Sequence, residues 1–219
     1  MNTRRIAVIT AGLGEPSSTR MLADALARGT AEILAERDIA TEINVIDLRR
    51  HAQDILSALL TGAQSPELRA VMATLAEADG VVAVTPIFST SYSGLFKMFL
   101  DIVDRDVLTG IPVLLGATAG TPRHSLAIDY AIRPIFTYLH ADPLPTAVFA
   151  ATADWGSEAD TVATLPSRIA RGAGELAARL LGSAPVRAAR APEVQAPAEV
   201  PGNAAFDGGF VPLGELLAR

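Results

Sequence analysis

The sequence predicts an α/β fold, with five parallel strands in the order 2-1-3-4-5 and helices on both faces, a three-layer sandwich. Three observations carry this. Short apolar runs, of the kind expected for strands buried on both faces, alternate with helical stretches five times. The loops after the first, third and fourth runs are rich in Gly, Ser and Thr, and all three should open on the edge where such sheets bind ligands. Zero cysteines, and no apolar run of the roughly 20 residues a membrane helix needs, exclude a disulfide scaffold and a membrane span.

Taken in order, Ile6 to Thr10 is the first strand, a continuous apolar run bounded by glycine. The start MNTRRIAVITAGLG superficially resembles a twin-arginine export signal, but its apolar part is short and no small-x-small cleavage site follows. After the loop Ala11 to Arg20 comes a helix whose apolar face is Met21, Leu22, Ala25, Leu26, Ile33 and Leu34. Thr41 to Ile46 reads as the second strand, closed by Asp47-Leu48-Arg49-Arg50. Residues 51–65 connect, with a helical turn at Ile55 to Leu60, to a helix at Pro66 to Ala78, where proline suits the first position.

Gly80 to Thr85 is the third strand. Its hydroxyl-rich loop, Ser89 to Gly94, opens a helix with Leu95, Phe96, Phe99, Leu100 and Val103 on one face. Ile111 to Ala117 is the fourth strand, followed by Thr118-Ala-Gly-Thr-Pro-Arg-His124. The helix from Ser125 to about His140 should kink at Pro134, and its apolar residues surround it, which points to cover by both the sheet and a neighbouring subunit. Leu144 to Ala151 is the fifth strand, and a final helix runs from about Asp160 to Leu181. The folded domain is thus residues 1–182. Residues 183–219 form an Ala/Pro-rich tail with a short apolar docking segment between Phe206 and Leu217.

Net charge is −6 with no basic run, which argues against a nucleic-acid partner. Charged residues make up 19%, below the roughly 25% of typical soluble domains, so part of the surface is expected to be hidden in an oligomer. His51, His124 and His140 lie far apart without ligand spacing, so no metal site is expected. The expected location is cytoplasmic.

The first loop holds Gly12-x-Gly14-x-x-Ser17, one glycine short of a dinucleotide fingerprint, with Asp47 at the end of strand two. Its Ser17, Ser18, Thr19 and Arg20 at a helix start suit a phosphate, and equally Ser17 or Ser18 is simply the helix cap. In the second loop Phe88 either packs a flat ring or joins the core, and Ser91 is a candidate N-cap. In the third, small residues let backbone approach a ligand. Asp129 and Arg133 are spaced for a local ion pair. No paired carboxylates and no nucleophile with a base appear, which fits chemistry carried by a cofactor.

With TPIFSTSYSGLFKMFLD (85–101) and ATAGTPRHSLAIDYAIRPIF (117–136), the chain resembles the NAD(P)H-dependent FMN reductases of the flavodoxin-like superfamily, over roughly residues 4–182. It is most similar to the branch that supplies reduced flavin to two-component monooxygenases. The resemblance implies FMN and NADPH or NADH as cofactors, hydride transfer to the flavin, and no side-chain acid or base. It implies that Ser17, Ser18, Thr19 and Arg20 hold the FMN phosphate, that Pro86, Ile87, Phe88 and Ser89 border the ring and ribityl chain, and that Thr118, Ala119 and Gly120 offer backbone contacts. In some members of that family a tyrosine at the position of Tyr92 sits in a π-helical turn at a tetramer interface, while Tyr92 reads equally as a plain helix residue. The resemblance further implies a homodimer or homotetramer and a flavin-dependent monooxygenase as partners. Alternatives are an FMN-bound quinone or azo reductase, a non-catalytic flavin-binding electron carrier, and a nicotinamide-only dehydrogenase resting on Gly12, Gly14 and Asp47. Arg49, Arg50 and Arg123 are candidates for the 2′-phosphate of NADPH.

Overall fold

The computed structural model describes residues 3–156 and 164–182. In order the elements are β1 (Thr3–Thr10), α1 (Ser18–Ala35), β2 (Ala40–Asp47), α2 (Ala52–Thr61), α3 (Pro66–Ala76), β3 (Gly80–Phe88), β4 (Ser91–Tyr92), α4 (Gly94–Asp101), β5 (Pro112–Ala119), α5 (Arg133–Tyr138), β6 (Asp142–Pro143), β7 (Val148–Ala151) and α6 (Leu165–Gly182).

The sheet path is β2-β1-β3-β5-β6, with β7 also paired to β5 and β4 to the end of β3. The parallel core therefore has the flavodoxin-like order expected, but the sheet has seven strands rather than five. Two local causes account for the difference. Pro145 has no N–H to give the ladder, and Thr146 sends its N–H to Glu175 of α6 instead (3.0 Å). The expected fifth strand, Leu144 to Ala151, is thereby shortened to β7, while a separate two-residue strand, β6, forms just before it, both parallel to β5. The extra strand, β4, arises because Ser89 and Thr90 both take left-handed φ values (47° and 71°). This two-residue turn folds Ser91-Tyr92 back antiparallel on Ile87-Phe88.

Side chains alternate along β1, so both faces are covered. Ile6 and Val8 pack with Leu22 and Leu26 of α1 and with Leu176 and Leu180 of α6. Ala7 and Ile9 join Leu68, Leu75, Phe96, Phe99 and Phe136 on the opposite face. Each such apolar side chain taken fully from water contributes about 1.5–3 kcal/mol, and the two layers fix the strand ends that carry the site.

The helix expected from Ser125 to His140 is broken differently from a proline kink. Ile128–Ile132 forms a π turn, in which the Arg133 N–H reaches back five residues to the Ile128 carbonyl. The α-helical part then begins at Arg133, so Pro134 falls in its first turn, where a missing N–H removes no intrahelical bond. The π turn is thus located here, around Tyr130, and Tyr92 is in neither a π turn nor a plain helix. Tyr92 lies in β4, its ring 6.5 Å from that of Phe96. The Asp129–Arg133 ion pair forms at 3.0 Å. Residues 160–163 of the expected last helix, and the tail with its docking segment, lie outside the described residues. No helix among the described residues is long and apolar enough to cross a membrane.

Candidate functional site

The first loop is arranged around Ser17. Its Oγ accepts the Arg20 N–H (3.2 Å), capping α1, and its carbonyl accepts the Met21 N–H (3.0 Å). The N–H groups of Ser18 and Thr19 fall among the first-turn donors that have no acceptor within the helix. Gly12 is required by this cap: a Cβ there would lie 2.0 Å from Ser17 Oγ and 3.1 Å from Ser17 Cβ. Its role is thus to admit the Ser17 side chain, independent of any pyrophosphate. Arg49 grips the loop from outside, donating to the Leu13 carbonyl (3.2 Å) and pairing with Glu15 (3.0 Å).

The second loop is pinned at its base. Thr85 Oγ1 accepts the Ser93 N–H (3.1 Å), and Ser93, rather than Ser91, caps α4 by accepting the Phe96 N–H (3.2 Å). Thr85 and Ser93 are both buried. Above this base Pro86 and Ile87 are buried, while Phe88 remains 48% exposed at the rim.

The third loop is tied to the first by a buried bond across 99 residues of sequence, Thr19 Oγ1 to Thr118 Oγ1 at 2.8 Å. The Thr19 hydroxyl is thereby engaged by protein, leaving its backbone N–H as its donor for a ligand. Gly120 presents bare backbone, and a Cβ there would meet nothing within 4 Å. A fourth segment joins from β7, the 3-10 turn Thr152–Trp155.

These four segments enclose a cleft of about 260 Å³ at the carboxyl ends of the strands. Of the eleven residues expected at the site, nine line it: Ser17, Ser18, Thr19, Pro86, Ile87, Phe88, Thr118, Ala119 and Gly120. Arg20 and Ser89 do not. The Arg20 guanidinium turns along α1 to Asp24 (2.7 and 2.9 Å), and Ser89 sits in the turn between β3 and β4. Leu13 and Thr152 complete the walls, beside Gly14 and Pro16. Thr152 follows the fifth strand, whose loop Thr152-Ala-Asp-Trp155 lacks the run of small and hydroxyl residues that marks the loops after strands one, three and four. No wall residue is charged.

Asp47, the candidate ribose acid, accepts the Arg49 N–H (3.2 Å) and pairs with Arg50 (3.7 Å), so it serves the turn after β2. A larger groove of about 470 Å³ between α4 and α5 is mostly apolar, and its charged residues engage neighbours, Lys97 pairing with Asp101 and Arg105 lying over the Tyr138 ring. Among the described residues, no group of three or more His, Asp or Glu could hold a metal ion.

The donor set fits a flavin mononucleotide: N–H groups at a helix start, without acceptors in the helix itself, for a phosphate, and apolar residues and bare backbone for a flat ring. Comparison with known proteins points the same way. The chain is 34% identical over 178 residues to an FMN reductase (NADPH) of Pseudomonas aeruginosa, covering 81% of this chain and 92% of that one. It is also 34% identical over 179 residues to the NADH-dependent FMN reductase SfnF of Pseudomonas fluorescens, covering 82% and 92%. Among solved structures, an oxidoreductase from Corynebacterium diphtheriae superposes with a TM-score of 0.80 at 43% identity, over 84% of this chain and 100% of that one. The profile of the NADPH-dependent FMN reductases matches residues 4–156, and with these relatives it shows that the chain belongs to that family of oxidoreductases.

Proposed function

We propose that this chain is an NAD(P)H-dependent FMN reductase that uses FMN as an exchangeable substrate and passes reduced flavin to a flavin-dependent monooxygenase. The observation that carries this reading is the cleft itself, which joins the start of α1 to the apolar Pro86, Ile87 and Phe88 and has no charged wall. When bound, FMN would supply the redox chemistry, as the acceptor at its N5 of a hydride from the nicotinamide. The protein's own part is to hold and orient. The Ser18 and Thr19 N–H groups and the Ser18 hydroxyl receive the phosphate at the positive end of α1. Pro86, Ile87 and Phe88 flank the ring, and backbone at Thr118 to Gly120 donates to its polar edge, where preorganised N–H groups stabilise developing negative charge.

Neutral donors alone hold a phosphate less firmly than a bidentate arginine does, which favours release of the flavin over permanent retention. A quinone or azo reductase that keeps its FMN is the competing reading. The test is oxidation of NADPH and NADH by purified protein, with and without added FMN. Oxidation that requires added FMN and saturates in it supports the reductase that releases flavin. Oxidation that needs a quinone but no added FMN rejects it. Binding of FMN with no oxidation moves the chain to the electron carriers.

Relatives of both coenzyme preferences are named at equal identity. Arg49 and Arg50 are engaged by Glu15 and Asp47, whereas Arg123 is exposed with no ion pair among the described residues. We assign to Arg123 the contact with the 2′-phosphate of NADPH. The apolar residues Leu56, Leu59 and Leu60 on the outer face of α2, with Leu126 and Tyr130 at the π turn, are exposed. They support a homodimer or homotetramer, which sedimentation equilibrium tests.

A further inference from the structure

The fourth wall of the cleft hangs on a pair of charges outside it. Thr152 opens a 3-10 turn that ends at Trp155, and such a short turn has few bonds of its own to set its position. Asp154 supplies the missing restraint. One of its carboxylate oxygens accepts the Ala151 N–H (2.7 Å), reaching back over Thr152. The other meets the guanidinium of Arg168, which also donates to the Phe149 carbonyl on β7. Arg168 stands on α6, whose Leu176 and Leu180 are buried against the sheet. The turn is therefore fastened to a helix with its own packed face.

This pair differs from the surface ion pairs elsewhere on the molecule. Its side chains are 27% and 14% exposed, against 39% and 33% for Arg20–Asp24 and 42% and 80% for Arg49–Glu15. Exposed pairs contribute little, whereas removing one partner of a shielded, hydrogen-bonded pair leaves a charge uncompensated. Here that loss falls on the turn that carries Thr152 to the cleft.

We propose that Asp154 and Arg168 are positioning residues for flavin binding, holding Thr152 in the cleft wall from α6. Neither lines the cleft, so they act through Thr152. This rests on the FMN reading above.

The test compares wild type, Arg168→Ala, Arg168→Lys and Asp154→Asn, each alone and combined with Thr152→Gly. Readouts are the FMN dissociation constant from flavin fluorescence, the KM for FMN against kcat, and the thermal midpoint. Arg168→Ala is expected to raise the FMN Kd and KM about tenfold, the equivalent of one charge-assisted hydrogen bond. kcat at saturating FMN should stay within about twofold, and Arg168→Lys, which keeps a charged donor, should recover part of the loss. In the Thr152→Gly background the further loss should shrink to less than about twofold, because the wall to be positioned is gone. A lower thermal midpoint with unchanged FMN Kd makes the pair a structural brace and overturns the proposal. So does a tenfold loss that persists in Thr152→Gly. If Arg168→Ala does not fold, Arg168→Lys and Asp154→Asn are judged by the same two criteria. Wild-type protein that binds no FMN overturns the functional reading and this proposal together, an outcome seen before any variant is made.

Discussion

The bond between Thr19 and Thr118 lends itself to a quantitative test, because both residues are buried and their hydroxyls bond each other. Valine has nearly the shape of threonine without the hydroxyl. Thr118→Val leaves Thr19 Oγ1 buried with nothing to bond, and Thr19→Val does the same to Thr118. Each single change should cost about 1–3 kcal/mol, the desolvation cost of an unpaired buried polar group. For a chain of this size, about 2 kcal/mol lowers the thermal midpoint by about 4–8 °C. The double variant removes both hydroxyls and should return to within about 1 kcal/mol of wild type. The measurements are urea midpoints for the four proteins of the cycle, with FMN affinity measured beside them. Because the bond joins the first loop to the third, the single variants should also bind FMN more weakly. Two single losses that simply add in the double variant would refute the reasoning, since the hydroxyls would then not be coupled.

Four further substitutions have expected outcomes. Thr90→Gly should raise stability by about 1 kcal/mol in thermal unfolding, because a β-branched residue is strained at φ 71° in a two-residue turn where glycine is favoured. Ser17→Ala removes both the α1 cap and a cleft hydroxyl, so it should cost about 1 kcal/mol of stability and weaken FMN binding. Arg20→Ala loses only an exposed pair with Asp24 and should leave FMN Kd within about twofold, both read by fluorescence titration. Arg123→Ala should raise the KM for NADPH about tenfold and leave that for NADH unchanged in steady-state assays, and equal effects on both would remove Arg123 from coenzyme selection.

The sheet and its ligand-binding edge were legible because buried strands leave contiguous apolar runs, such as Ile6 to Thr10 and Ile111 to Ala117, and the loops beyond them keep their small and hydroxyl residues. What the sequence left obscure was set by tertiary partners. Arg20 sits at the helix start that suggested a phosphate ligand, yet Asp24, one turn on, takes its guanidinium. Ser89 belongs to the right loop, but a two-residue turn removes it from the cleft, and no Asn-Gly signal announced that turn. The π turn before Pro134 reads in sequence as an ordinary helix with a proline in it. The Asp154–Arg168 contact joins residues with no local pattern between them.

The uncharged lining of the cleft has a consequence for ionic strength. A phosphate site built from arginines weakens as added ions shorten the Debye length, from about 30 Å at 0.01 M to about 3 Å at 1 M. Here no wall side chain carries a charge to be screened, while the chain as a whole carries −6 and repels an anionic flavin from a distance. Added electrolyte relieves that long-range repulsion and leaves the short N–H contacts in place. FMN should therefore bind equally or slightly more tightly at high salt, the opposite sign from an arginine-built site.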